Sequence, residues 1–159
     1  MRTLLVRVLA VATIVLALAP VRSGGATFGP SCLIGGTTFF ITITGGGHKT
    51  GTSGNDVFQG SSGDDVIVGN GGNDAVCASA GDDDITFGSG NDRADGGTGN
   101  DKIRGGGGVD YIWGGPGNDS LQGADGDDII FGDGYQDAGS SGDDKITGGD
   151  GIDHLHGGG

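Results

Sequence analysis

A nine-residue unit recurs along this chain, and that period constrains the fold more than any other feature. The frame begins at Gly51 and runs without slippage through residue 131, which gives nine blocks. Seven further residues, "GDGYQDA" (132–138), precede two more blocks over residues 139–156. All eleven blocks have Gly at the fourth position and Asp at the sixth. A strict period of this kind indicates a stack of small units, none of which is stable alone.

Each block predicts a turn followed by a short strand. The first six residues are rich in Gly, Asn and Asp, which favour turns. In the last three, the eighth residue faces one way and its two neighbours face the other. Because the turn reverses the chain, two blocks make one coil, block n stacks on block n+2 at about 4.8 Å, and the eighth residues form a thin apolar core. These residues are Phe58, Ile67, Val76, Ile85, Ala94, Ile103, Ile112, Leu121, Ile130, Ile146 and Leu155.

The composition points to a site that needs negative charge in one fixed geometry. The 159 residues include 40 Gly and 21 acidic residues, and every acidic residue is Asp. The absence of Glu, whose side chain is one methylene longer, indicates that the position of the carboxylate matters as well as its charge. The net charge of −13 disfavours nucleic acid and anionic lipid as partners. With so few large apolar residues, the chain without a counterion is expected to tend toward disorder.

Stacked turns bring each sixth-position Asp beside the Asp two blocks along, and a cation between them reverses their repulsion. Carboxylate and carbonyl oxygens suit Ca²⁺, which takes such ligands at about 2.3–2.6 Å. Zn²⁺ is disfavoured because the blocks offer no His or Cys at ligand positions. Mg²⁺ fits less well because it demands a tight octahedron and keeps its waters. The candidate ligands are Asp56, Asp65, Asp74, Asp83, Asp92, Asp101, Asp110, Asp119, Asp128, Asp144 and Asp153.

The blocks match the pattern GGxGxDxUx, where U is a large apolar residue. "GGTGNDKIR" (96–104) and "GGPGNDSLQ" (114–122) fit every defined position. This resembles the RTX (haemolysin-type) calcium-binding repeat, over about two-thirds of the chain. The resemblance implies an all-β fold, a parallel β-roll built as a right-handed solenoid with two repeats per coil. It also implies Ca²⁺ between turns of adjacent coils, bound by the sixth-position Asp and turn carbonyls. Pairing the eleven turns as n with n+2 gives at most about nine ions.

The N-terminus is typical of a secretory signal peptide, predicted over residues 1–26. Arg2 and Arg7 precede an apolar run, residues 8–19, and small residues follow. A retained membrane anchor is the alternative, but twelve apolar residues fall short of the roughly 20 that a bilayer needs. Cleavage after Ala26 or Ser23 leaves five basic and 21 acidic residues, a net charge of −16.

Residues 27–50 are predicted to be a short N-terminal β cap over the first coil, with a strand over Phe39–Thr44. An exported chain with two cysteines favours a Cys32–Cys77 disulfide that clips the cap to the roll, over two unpaired thiols. At the other end, residues 157–159 begin a further block and stop.

Two features lie outside the calcium pattern. Tyr111, Trp113, Ile129 and Phe131 are predicted to form an outward apolar patch, either a partner site or a surface covered by residues 132–138. His154 and His156 share a face; solvation is favoured over transition-metal binding because no third ligand is evident.

The sequence predicts a secreted, extracellular or cell-surface calcium-binding protein that is not an enzyme and does not insert into membranes once its signal is removed. It contains no G-x-S-x-G, H-E-x-x-H or G-K-[ST] motif. Two alternatives stay open. One is a calcium-stabilised adhesion or glycan-binding module that uses the apolar patch. The other is a fragment of a larger RTX enzyme or toxin.

Overall fold

The computed structural model describes residues 41–44, 46–133 and 142–158. Within these residues the regular elements are thirteen β-strands, with no helix. The predicted signal peptide (1–26), the cap up to residue 40 and most of the insertion lie outside the described residues. Across the described part of the chain, no helix has the length and apolar character needed to cross a membrane.

The strands alternate between two parallel sheets, named here the odd sheet and the even sheet after the strand numbers they contain. The odd sheet contains β1 (Ile41–Thr44), β3 (Asp56–Gln59), β5 (Ala75–Cys77), β7 (Arg93–Asp95), β9 (Tyr111–Trp113), β11 (Ile129–Phe131) and β13 (His154–His156). The even sheet contains β2 (Gly47–Thr50), β4 (Asp65–Val68), β6 (Asp84–Thr86), β8 (Lys102–Gly107), β10 (Ser120–Asp125) and β12 (Lys145–Asp150).

The strand register has the predicted period of two blocks. Phe58 pairs with Val76 in the odd sheet, and Ile67 pairs with Ile85 in the even sheet. Every neighbouring pair of these strands is parallel. The predicted all-β parallel β-roll, with two repeats per coil, is therefore confirmed.

The core is the predicted double column of eighth-position residues. From Phe58 to Ile130 each of them is 0–1% exposed. Burial weakens at the C-terminal end, where Leu155 on the last described strand is 46% exposed. Ala78 and Phe87 also join the core. Both stand at the first position of a block, where the repeat pattern has Gly.

The N-terminal cap continues the roll as an extra coil. β1 pairs with β3 and β2 with β4, both in parallel. The strand predicted from Phe39 is described from Ile41 onward, and β2 has no counterpart in the sequence prediction. Cys77 is disulfide-bonded. Its predicted partner Cys32 lies outside the described residues, so that pairing stays a prediction.

The insertion changes the pairing offset from 18 to 25 residues without breaking the roll. Gly132 falls in the seven-residue insertion of the sequence frame, but its contacts are those of a first-position glycine. Its N–H donates to the His156 carbonyl at 2.7 Å, and its carbonyl accepts from Gly115 N–H at 2.9 Å. Gly114 has the same two types of contact. Gly132 therefore occupies the first position of the turn that carries Asp144, and β12 and β13 keep their register with β10 and β11.

Candidate metal centre

The turns bury the sixth-position carboxylates. Nine of these Asp residues are 0–3% exposed: Asp56, Asp65, Asp74, Asp83, Asp92, Asp101, Asp110, Asp119 and Asp128. Asp144 and Asp153, near the C-terminal end, are half-buried. Turns are usually solvated, and isolated buried carboxylates are rare because removing their charge from water is costly. Eleven acids at one place in successive turns therefore call for a compensating interaction.

From Asp74 onward, one oxygen of each carboxylate accepts a hydrogen bond from the preceding coil. The backbone N–H of Asp92 donates to Oδ1 of Asp110 at 2.8 Å. The same bond recurs at 2.7–3.0 Å from Asp56 to Asp128 as donors, each to the Asp one coil later. This ladder explains the exclusion of Glu, since a longer side chain would not place its oxygen at the same backbone N–H.

The second oxygen, Oδ2, has no hydrogen-bond partner in most of the described turns. Eight buried Oδ2 atoms are in this state: those of Asp74, Asp83, Asp92, Asp101, Asp110, Asp119, Asp128 and Asp144. Leaving a buried charged acceptor unsatisfied costs more than a typical hydrogen bond contributes. These oxygens are therefore where a cation would act.

The first-position glycines leave space beside these oxygens. A Cβ at Gly96 would lie under 3.0 Å from both Asp101 Oδ2 and the Gly114 carbonyl oxygen of the next coil. A Cβ at Gly114 would meet Asp119 Oδ2 and the Gly132 carbonyl oxygen in the same way. The glycine therefore keeps open a place where a carboxylate oxygen and a backbone carbonyl from adjacent coils converge.

The fourth-position glycines allow the turns to stack closely. Gly117 has φ +142°, and a Cβ there would collide with the Gly99 carbonyl of the preceding coil. Gly99 has φ +135° and the same relation to the Gly81 carbonyl. Left-handed backbone and close approach both require Gly here. From Gly72 onward a Cβ at the fourth position would collide with the preceding coil, so this position sets the spacing between those turns.

Burial raises the pKa of these carboxyls. It lifts the pKa of Asp74, Asp83, Asp92 and Asp119 to about 6, and that of Asp101 and Asp110 to about 7. The backbone N–H bond opposes the rise, while neighbouring carboxylates add to it. The pKa of Asp128 is raised for the same reasons. The turns therefore hold carboxylates that resist ionisation until a positive charge is supplied.

The first two carboxylates are satisfied by the chain itself. Asp56 Oδ2 accepts from the Thr52 backbone N–H at 2.6 Å and its hydroxyl at 3.0 Å. Asp65 Oδ2 accepts from the Ser61 N–H at 2.8 Å and its hydroxyl at 3.2 Å. Burial alone would raise the Asp65 pKa, but the Lys49 and Ser61 hydrogen bonds outweigh it and hold that pKa below its usual value.

The fifth position has a structural role that sequence reasoning missed. Its side-chain oxygen accepts the backbone N–H of the fifth residue one coil later: Asn73 Oδ1 accepts from Asn91 N–H at 2.8 Å. Asp64, Asp82 and Asp127 accept such bonds at 2.8–2.9 Å. The recurrence of Asn or Asp at this position was the signal, and it reflects a hydrogen-bond ladder between coils.

The donor set fits calcium. Within the described ranges no three His, Cys, Asp or Glu side chains cluster as a metal site, so any ion must take backbone carbonyl ligands as well. Buried carboxylate Oδ2 atoms and inward carbonyls are hard oxygen donors. Ca²⁺ prefers such donors, whereas structural Zn²⁺ sites are built from Cys and His. When bound, calcium would supply the positive charge that these turns lack. The eleven predicted ligands occupy equivalent positions in their turns. Asp56 and Asp65 differ from the others because Thr52 and Ser61 already donate hydrogen bonds to their Oδ2 atoms.

The apolar patch of the odd sheet is a column of stacked rings. Trp113 stacks on Phe131 at 5.9 Å between ring centroids, with 4° between planes, and Tyr111 lies 6.3 Å from Trp113. His156 extends the column, 4.7 Å from Phe131. Tyr111, Trp113, Ile129 and Phe131 are all half-buried. His156 is thus held by ring stacking while remaining exposed.

Comparison with protein families identifies the repeat. The family model of the RTX calcium-binding nonapeptide repeat matches four times, at residues 50–85, 88–121, 108–134 and 138–159, more than half of the chain. No curated protein and no solved structure matches this chain. Repeats of this family form calcium-binding structural units, as the buried oxygens of these turns indicate. The chain therefore belongs to the RTX calcium-binding nonapeptide repeat family and is a calcium-binding β-roll.

Proposed function

We propose that this chain is a secreted, non-catalytic calcium-binding protein whose β-roll folds as calcium binds. The observation that carries the proposal is the row of eight buried Oδ2 atoms without a hydrogen-bond partner in the described turns. Each belongs to a carboxylate whose other oxygen already accepts a backbone N–H from the preceding coil.

Folding without calcium removes the charge of these carboxylates from water. In the unfolded chain these carboxylates are in water, whereas in the roll they are buried and next to one another. The net charge of −13 adds general repulsion to the compact state. Without a divalent cation, the unfolded chain is therefore favoured.

Calcium reverses this balance because the sites exist only in the stacked turns. A ligand that binds only the folded state stabilises it by about 2.7 kcal/mol per site at a free concentration 100 times its Kd. Binding free energy then becomes folding free energy. Extracellular modules bind calcium at about 10⁻⁴–10⁻³ M, which suits a chain with an N-terminal export signal.

A calcium titration followed by far-UV circular dichroism tests the coupling. We expect strand signal to be weak in EGTA and to appear cooperatively as CaCl₂ is added. MgCl₂ at the same ionic strength is the control, since Mg²⁺ keeps its waters and needs a tight octahedron. A spectrum in EGTA equal to the calcium-loaded one contradicts the proposal.

Export and stoichiometry need separate measurements. The intact mass of protein recovered from culture medium should correspond to a chain cleaved after Ala26 or Ser23. Native mass spectrometry should then show several bound calcium ions, at most about nine from the pairing of eleven turns. Full-length protein retained in the cell membrane contradicts export without affecting the calcium proposal.

A second candidate function, a calcium-stabilised adhesion or glycan-binding module, is favoured by the ring column on the odd sheet. The near-parallel planes of Trp113 and Phe131 face each other along the roll. The inner rings therefore present edges more than faces to the outside, which suits an apolar protein surface better than a stacked sugar. Glycan-array and protein pull-down assays distinguish a sugar ligand from a protein ligand, with Trp113→Ala tested beside the parent chain. No calcium-dependent capture in either assay counts against this candidate.

A further inference from the structure

Lys49 occupies an interior position that the repeat reserves for apolar residues. On β2 it pairs with Ile67, which in turn pairs with Ile85, so it heads the interior column of the even sheet. Its side chain is 4% exposed. A lysine is almost never so deeply buried unless it is paired.

The Lys49 ammonium group is paired with the first carboxylate of the even turns. Nζ lies 2.8 Å from Asp65 Oδ1, and the Asp65 side chain is 0% exposed. In later turns this Oδ1 position accepts a backbone N–H from the Asp one coil earlier, as Asp83 Oδ1 does from Asp65. The residue that pairs with Asp65 one coil earlier is Gly47, and Lys49 supplies the donor instead.

Asp65 is consequently the one even-turn carboxylate, among the described residues, that is fully compensated by the protein. Lys49 binds Oδ1, and Ser61 binds Oδ2 with its N–H and hydroxyl. The next even-turn carboxylates, Asp83 and Asp101, have a buried Oδ2 with no partner. Along the even turns, the first carboxylate is therefore neutralised by a cation of the protein, whereas the carboxylate one coil later has no such cation.

We propose that the Lys49 ammonium group acts as a fixed cation in place of calcium at the N-terminal end of the even turns, so that the β2–β4 pair forms before calcium binds. This rests on the proposed function, because it concerns which turns need calcium to fold. It removes Asp65 from the set of calcium ligands. It also gives folding a direction, since the pre-formed β4 edge is available for β6 and the calcium-dependent coils beyond it.

Hydrogen exchange of the full mature chain in EGTA, read by mass spectrometry, tests the proposal. We expect amides of β2 and β4 to retain more protection than those of β8 and β10. Lys49→Met, which keeps an unbranched apolar side chain but removes the charge, should abolish that difference. It should also raise the calcium concentration at the folding midpoint several-fold.

Lys102→Met is the matched control. Lys102 makes the same type of pair with Asp84 at 3.0 Å, but the two side chains are 69% and 45% exposed. It should leave both measurements close to those of the parent chain, because exposed pairs contribute little. Equal behaviour of the Lys49 and Lys102 variants overturns the proposal.

A double variant covers the case in which Lys49→Met does not fold. Adding Asp65→Asn removes the uncompensated charge, so Lys49→Met/Asp65→Asn should fold with calcium near the parent midpoint. Failure of this rescue overturns the proposal, while a parent chain that folds equally without calcium instead overturns the proposed function.

Discussion

The backbone N–H of Asp92 donates to Oδ1 of Asp110 across one coil at 2.8 Å, and Oδ2 of Asp110 remains buried without a partner. A single side chain thus joins two coils and also carries a charge that the fold cannot satisfy. The two oxygens have opposite effects on stability, so substitutions can separate them.

Asp110→Asn should make the roll more stable without calcium and less stable with it. The amide keeps an oxygen for the Asp92 N–H while removing the buried charge, and each effect should be about 1–3 kcal/mol. Urea unfolding in EGTA and in saturating calcium measures both. Asp125→Asn, at an exposed position, is the control and should change neither. A loss of stability under both conditions would show that the charge is not what opposes folding.

Much of this arrangement could be predicted from the sequence because the period is strict. Eleven Gly and Asp residues in phase fix the coil length, the core column and the candidate ligands. The nine-residue frame could not show which oxygen of Asp110 accepts the Asp92 N–H, because that depends on how closely the coils stack. It also left Lys49 unassigned, although counting back from Gly51 places it at an eighth, interior position. A charged residue at a core position was the available signal.

The N-terminal coils depart from the repeat for a reason that tertiary packing alone reveals. Phe87 stands where most blocks have Gly, and it packs into the core at 4% exposure. Its ring lies 3.0 Å from where a Cβ of Gly69 would be, so it fills space beside that turn. In the sequence, Phe87 is simply a mismatch to the repeat pattern. The structure shows that its apolar side chain fills space that a first-position Gly would leave open.

Acidification should stabilise the calcium-free roll and weaken calcium binding. Acids such as Asp101 and Asp110, with a pKa near 7 in the roll, bind protons more tightly folded than unfolded. The stability that these carboxyls contribute to the ion-free roll is therefore fully present below about pH 4 and is lost as the pH rises through 6 to 7. Circular dichroism in EGTA should show more folded protein at pH 5 than at pH 7.5. In calcium, the folding midpoint should move to higher concentration at pH 5.5, because protons compete for the same oxygens.

A pH titration that lowers the folded fraction in EGTA, or leaves it unchanged, contradicts this expectation. Constant ionic strength is required, because salt screens the exposed charges and would mimic part of the effect.

Gly114→Ala should block calcium binding in its turn. The new methyl group would fall within 3.0 Å of both Asp119 Oδ2 and the Gly132 carbonyl oxygen, where the two coils converge. Overpacking of this kind costs about 1–3 kcal/mol. Native mass spectrometry should show fewer bound ions, and calorimetry a lower melting temperature in calcium. Gly63→Ala is the matched control, since nothing lies within 4 Å of a Cβ there. Equal ion counts for the two variants would exclude the space beside Gly114 as part of a site.

Val109→Asn should stabilise the roll by restoring a missing bond in the fifth-position ladder. Val109 donates its N–H to Asn91 Oδ1 at 2.9 Å but has no side-chain oxygen for the Asp127 N–H of the next coil. An Asn there should add about 0.5–1.5 kcal/mol and remove an apolar side chain that is 37% exposed. Urea unfolding in saturating calcium measures the gain. Val66→Asn, at a strand position that is 42% exposed and outside the ladder, is the control and should give no gain. If both variants gained stability equally, the effect would come from lost apolar exposure and not from the ladder.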